Sequence, residues 1–365
     1  MLALSFLALS VGLVGAAPNR VLPNPMIGGY ANWGECDNSV LRAARSGVNV
    51  ILWFSINLSP SAPPTGGPNL TCVGNVLRNL SASGLPTTSL ISVGGWDAPH
   101  PTGGSGAQFY AQWQQWNAGL QATYGFAFDG VDWDLEGNDI PASLWNTFSV
   151  ETLSIVGEFS QLAKADGYLI TLVPAESYFD VSTAAFSRSL NNSYSDWHSD
   201  FLYHGHNAYA YLFSKYGGAA TFDAVTVQLY ESWSHAGFNI TLQKQRPADY
   251  LRAWAASLAA GWWVDFSSAP ELNYSSQMVT LPLANLVVGL ANGWAGGAGS
   301  NVKSLLIMPE EVGVAWAEQR FRGAAFWCIA AEGNVPPAQT APLYLASGLN
   351  AFFHARPAQG GEAEE

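Results

Sequence analysis

The chain has 365 residues, 48% of them apolar and 11% charged, a composition that supports a large buried core and excludes an intrinsically disordered chain. A formal net charge of −13 with no basic run argues against nucleic acid as a partner, because nothing is present to neutralise phosphates. The length suits one large domain, such as a barrel of roughly 250 residues with long loops.

Residues 1–17 are apolar, lack an acid and end on the small residues Gly15 and Ala17, the pattern of a cleavable signal peptide rather than a membrane span. Export to the extracellular space, or alternatively to a lysosome-like vacuole, follows, with no membrane association after cleavage. Asn-x-Ser/Thr sequons at Asn69, Asn79, Asn191, Asn239 and Asn273 fit a glycosylated surface; Asn57 is the weakest because Pro60 follows its Ser59. With three cysteines, at most one internal disulfide forms. Cys36–Cys72 is the expected pairing, since both fall in loop-like segments, and Cys328, in the apolar run AAFWCIA, reads as a buried thiol.

Candidate strands follow in order at 26–31, 48–55, 88–94, 126–134, 168–174, 223–230, 285–291 and 323–329, with helix-like stretches between them, notably 143–165, 246–259 and 308–320. Pro247 and Pro309 suit first helical turns, and Glu310 and Glu311 suit a helix's positive end. Eight strand–helix pairs predict an α/β fold, a (β/α)8 TIM barrel forming a single domain over 18–356. A doubly wound sheet is the alternative, but no Gly-x-Gly-x-x-Gly follows the first strand. The tail 357–365, PAQGGEAEE, is Gly-rich, acidic and expected to be disordered. A monomer is expected.

The fourth strand carries the sharpest signal, Asp129-Gly130-Val131-Asp132-Trp133-Asp134-Leu135-Glu136. Alternation places Asp132, Asp134 and Glu136 on one face, pointing into the barrel or its mouth. Neighbours in that row stand about 6.6 Å apart. At that spacing two charges repel by roughly 2.5 kcal/mol at an intermediate dielectric, so at least one group stays protonated, as a general acid requires. Glu136, nearest the carboxyl end, is best placed to reach a substrate. A hard-cation site lacks EF-hand spacing, and a purely structural acid cluster without nearby Lys or Arg is costly. Elsewhere, His198, His204 and His206 include a His-x-His pair without persuasive companion ligands and read as loop histidines. The Gly-rich loop 293–300 lacks a P-loop ending, and no Gly-x-Ser-x-Gly elbow is present. No cofactor and no metal is expected.

The complete Asp-Gly-x-Asp-x-Asp-x-Glu at 129–136 resembles the signature of the family 18 glycoside hydrolases. Ser92-Val93-Gly94-Gly95 looks like that family's strand-three Ser-x-Gly-Gly, Trp327 like its strand-eight tryptophan, and Gln228-Leu229-Tyr230 like the strand-six ending of the plant-like, hevamine-like chitinase branch. The likeness runs from Gly28 to about Trp327. Strand one, with Tyr30, matches loosely, and Glu231 stands where the branch often has Asn.

This resemblance implies substrate-assisted, retaining hydrolysis of β-1,4-linked N-acetylglucosamine polymers, with chitin or its oligosaccharides as partner. It makes Glu136 the proton donor and later the base. Asp134 then orients the acetamido group, Asp132 shares a proton with it, and Tyr230 donates to the acetamido carbonyl. Trp327 becomes the floor under the sugar, with Gln228, Trp96 and Tyr30 as further substrate-binding candidates. Trp33 and Trp233 are candidate subsite walls, and Asp129, Gly130, Ser92, Gly94 and Gly95 are structural parts of the motifs. An endo-β-N-acetylglucosaminidase acting on glycoprotein glycans and a non-catalytic chitin lectin are the alternatives.

Overall fold

The computed structural model describes residues 20–34, 36–138, 140, 142–190, 205–230, 234–293, 304–336 and 339–354. The apolar segment 1–17, expected to be a signal peptide, the tail 357–365, Asn191, His198, His204, Glu231, Trp233 and the Gly-rich loop beyond Gly293 lie outside them.

Eight parallel strands close on themselves: β1 Met26–Ala31, β2 Val50–Asn57, β3 Thr88–Gly95, β4 Gly130–Leu135, β5 Leu169–Leu172, β6 Ala224–Gln228, β7 Leu286–Ala291 and β8 Gly323–Trp327. Strand β1 pairs with both β2 and β8, which completes the (β/α)8 barrel. All eight strands fall where the apolar runs placed them, with ends displaced by up to four residues. The largest displacement is in β4, where Phe126–Asp129 precede the strand.

Strand alternation divides the core in two. Met26, Tyr30, Val50, Leu52, Phe54, Leu90, Leu169, Ala224 and Val287 fill the barrel interior. Residues between them, such as Ile51, Trp53, Val131, Trp133, Ile170 and Phe326, face outward under the helices. Each large apolar side chain so buried contributes about 1.5–3 kcal/mol. Two outward tryptophans also satisfy their indole N–H groups: Trp53 donates to Ser89 Oγ at 2.8 Å and Trp133 to Ser160 Oγ at 3.0 Å.

Pro247 and Pro309 occupy the first turns of helices Pro247–Ala260 and Pro309–Gln319, and Glu310 and Glu311 lie in the first turn of the latter. The stretch read as helical from 143 splits into a 3₁₀ turn, Leu144–Asn146, and a helix, Val150–Ala165, because Ser149 caps the latter through Thr152 N. A short antiparallel hairpin, Trp262–Val264 with Gln277–Val279, intervenes before β7 and has no place in the strand–helix pattern.

Cys36 and Cys72 form a disulfide with Cα atoms 6.0 Å apart. Cys72 sits not in a loop but in the first turn of helix Leu70–Ala82, capped by the Asn69 side chain. Cys328 is buried beside the interior core. Asn69, Asn79 and Asn273 are exposed, whereas Asn239 is half-buried and its Nδ2 donates to the His235 carbonyl at 2.9 Å. Asn239 therefore departs from the surface position expected of a sequon.

Candidate active site

The acidic motif divides along the strand into a foot and a working end. Asp129 lies below β4, where its Oδ2 accepts from Ser89 N at 2.7 Å and its other oxygen pairs with Arg20. A Cβ on Gly130 would fall on the Leu169 carbonyl, so only glycine lets β4 lie against β5 there. These two residues brace the strand far from its carboxyl end.

Asp132, Asp134 and Glu136 all point inward and are buried. Asp132 is held by three hydroxyls: Ser92 at 2.8 Å, Tyr30 at 3.2 Å, and Thr171. Ser92 and Thr171 stand opposite Asp132 on β3 and β5, so parallel register builds this cradle. Gly94, opposite Asp134, has φ of 103° and no room for a Cβ, which would lie 2.5 Å from Asp134 O. Gly95 likewise leaves space for the Phe54 ring.

Glu136 lies one residue beyond β4. Gln228 Nε2 binds both acids, at 2.9 Å from Asp134 Oδ1 and 3.2 Å from Glu136 Oε1, and is itself fixed by Val173 O at 3.0 Å. The side chains thus converge although their strand positions are spaced apart. Burial pushes the Asp132 carboxyl up to about 6, against the three hydroxyls that lower it. Burial also raises Glu136, opposed by its bonds to Asp134 and Gln228. The sequence argument put like-charge repulsion first; burial is the larger cause.

An aromatic wall faces the acids. Trp327, half-buried at the end of β8, packs against Phe54 at 4.8 Å, Tyr30 at 5.8 Å and Trp33 at 6.4 Å between ring centroids. Trp33 is 53% exposed beyond β1. With Trp96, Asn57, Ser55 and Asp97 it lines an open cleft of about 440 Å³ over the ends of β1 to β3. Tyr230 is half-buried two residues past β6, and its carbonyl accepts from Leu305 N at 3.1 Å. His206, the described member of the histidine group, offers its carbonyl to Ser187 N at 2.9 Å.

Sequence reasoning missed four residues here. Thr171 cradles Asp132, and Phe54 backs Trp327. Tyr209 Oη accepts from Leu135 N at 2.7 Å, fixing the backbone between the two reactive acids. His100, stacked on Phe148 at 5.0 Å, places Nε2 2.8 Å from Glu136 O. Period-two reading of β5 would have placed Thr171 beside Asp132; no local pattern announces Tyr209 or His100.

No family profile and no curated protein matches the sequence. Solved structures do match. The catalytic domain of a hyperthermophilic chitinase from Pyrococcus furiosus superposes with a TM-score of 0.54 at 14% identity, covering 93% of this chain and 100% of that one. What the two share is the (β/α)8 barrel. A putative chitinase A from Streptomyces coelicolor gives 0.52 at 17% identity, covering 91% and 99%. A fungal endo-β-N-acetylglucosaminidase of glycosyl hydrolase family 18 gives 0.51 at 15%, covering 90% and 98%. At these identities the likeness is one of fold.

Proposed function

We propose that this protein is a chitinase that cleaves β-1,4-linked N-acetylglucosamine chains with retention of configuration, the substrate's own acetamido oxygen acting as nucleophile. The observation that carries this reading is the convergence of Asp134 and Glu136 on one donor, Gln228 Nε2, at 2.9 and 3.2 Å. Two-carboxylate glycosidases place their acids about 5 Å or more apart, on opposite sides of the scissile bond. Acids that share a single donor sit on one side of it, so one acid works alone and attack comes from the substrate.

Glu136, whose carboxyl burial shifts toward the neutral form, donates to the leaving glycosidic oxygen and then takes a proton from the incoming water. Asp134 accepts the acetamido N–H and balances charge developing on the ring, while Asp132 exchanges a proton with it. Tyr230 donates its hydroxyl to the acetamido carbonyl. Trp327 offers an indole face to the C–H face of the pyranose. The apolar segment 1–17 and the exposed sequons support export.

Proton NMR of the first product tests the mechanism: a β-anomer from a β-linked substrate is expected, together with inhibition by a thiazoline analogue of the oxazoline. An α-anomer as first product contradicts it. Cleavage of a high-mannose glycopeptide with little action on chitin oligomers would reassign the substrate to glycoprotein glycans, and binding without cleavage would make the protein a lectin.

A further inference from the structure

Two described residues on either side of Tyr230, Gln228 and Ala236, meet the same segment after β5. Gln228 donates its backbone N–H to Pro174 O at 2.8 Å, and bridges Ala175. Ala236 donates its N–H to Glu176 Oε2 at 3.0 Å. Segment 174–176 therefore holds both Gln228 and Ala236. Ser234 Oγ donates to Leu229 O at 2.8 Å and accepts from Gly237 N at 2.8 Å, which ties the returning turn at 234–237 to the residue before Tyr230.

We propose that Glu176 is a positioning residue for Tyr230, acting through this returning turn. The proposal rests on the role given to Tyr230 above. Glu176 is 2% exposed, and its second oxygen accepts from Tyr250 Oη, on helix Pro247–Ala260. A carboxyl buried so fully is costly unless its bonds are needed. Here it joins three elements: the end of β5, the turn after β6, and the helix that follows.

The charged and titratable groups facing Glu176 are His235, on the same turn as Ala236, Tyr250 on the helix, and Asp180 on its own segment. Asp180 is itself buried, bonded by Ser182 Oγ at 2.7 Å and 3.7 Å from His235 Nε2. Burial first, with Asp180 adding, pushes the Glu176 carboxyl up to about 7, against His235, Tyr250 and the Ala236 N–H. Below that pH the anchor is a neutral acid; above it, a buried negative charge forms on Glu176 and the turn is expected to loosen.

Three readouts on the full chain test this: hydrogen exchange across 234–238 without substrate, kcat and KM on soluble N-acetylglucosamine oligomers, and melting to confirm folding. E176L is expected to lose protection across 234–238 and about 10- to 100-fold in kcat, the range that misplacing a reacting group costs, with KM little changed. In the Y230F background the same change is expected to cost nothing further. E176Q keeps the acceptor and cannot ionise, so its kcat relative to wild type is expected to rise between pH 6 and 8. Unchanged exchange in E176L overturns the anchor whatever the substrate proves to be. Equal losses from E176L with and without Y230F overturn the link to Tyr230, and a flat E176Q ratio overturns the ionisation step. Failure of wild type to cleave, with the exchange result intact, refutes the substrate assignment instead.

Discussion

Replacing Asp132 with Asn separates the cost of burying an ionised acid from everything else at the site. Asp132 is fully buried, and its carboxyl rises from an ordinary 3.8 to about 6. The native chain therefore holds a proton that the unfolded chain releases between those values. With the folded pKa raised, the group's stabilising effect is complete below pH 3.8 and disappears as pH rises through 6. The rise corresponds to about 3 kcal/mol, an order-of-magnitude figure. Asn approximates the protonated acid in shape and polarity and does not titrate. Urea unfolding from pH 3.5 to 8 should therefore give wild-type and Asp132→Asn curves that lie close together at the acid end. They should separate through pH 4–6 until the variant is favoured by about 3 kcal/mol relative to its acid-end offset. Glu176, whose own rise to about 7 contributes to both proteins equally, cancels in the difference. Parallel curves would refute the reasoning, and so would a separation that favours wild type as pH rises.

Other expectations follow from the same geometry. Asp134→Asn should lower turnover by about 10²–10³-fold, the usual cost of removing a preorganised charge partner, with melting little changed; unchanged turnover removes Asp134 from its proposed role. Trp327→Ala should weaken oligosaccharide binding, read by titration calorimetry, while an unaltered affinity would reduce Trp327 to a packing residue against Phe54 and Tyr30. Reducing the Cys36–Cys72 bond, which spans 36 residues, should lower stability by up to about 4 kcal/mol in the chain-entropy account, and an identical melting temperature with and without reductant would contradict that. Gly130→Ala should yield little soluble protein because its Cβ has nowhere to go beside Leu169.

The barrel was legible because each interior strand is a short apolar run, and the acids of β4 break one run in a period-two pattern that has no structural excuse. Helices were less legible: Gly106–Tyr124 carries apolar and amide side chains around much of its surface, so its start is announced by Ser105 and Gln108 rather than by periodicity. The three-residue strands Trp262–Val264 and Gln277–Val279 are too short to leave a pattern. Proximity across the mouth was illegible for a different reason. Tyr209, His100 and Glu176 reach the site or its support from the segments that follow β3 and β5, and no spacing in the chain encodes where such segments return. The electrostatics were right in direction and wrong in cause. Strand spacing suggested charges held apart and repelling, whereas Glu136 lies beyond the strand end and meets Asp134 at Gln228 Nε2, and burial is the largest cause of its raised pKa.

The central claim is that Glu136 is the single acid of a cleaving enzyme. Hydrolysis of N-acetylglucosamine pentamers and hexamers by the mature protein and by Glu136→Gln, with binding followed in parallel, tests it most directly. The account predicts cleavage by wild type, with binding kept and cleavage lost in the variant. Equal cleavage by both proteins, or binding without cleavage by wild type, would contradict it.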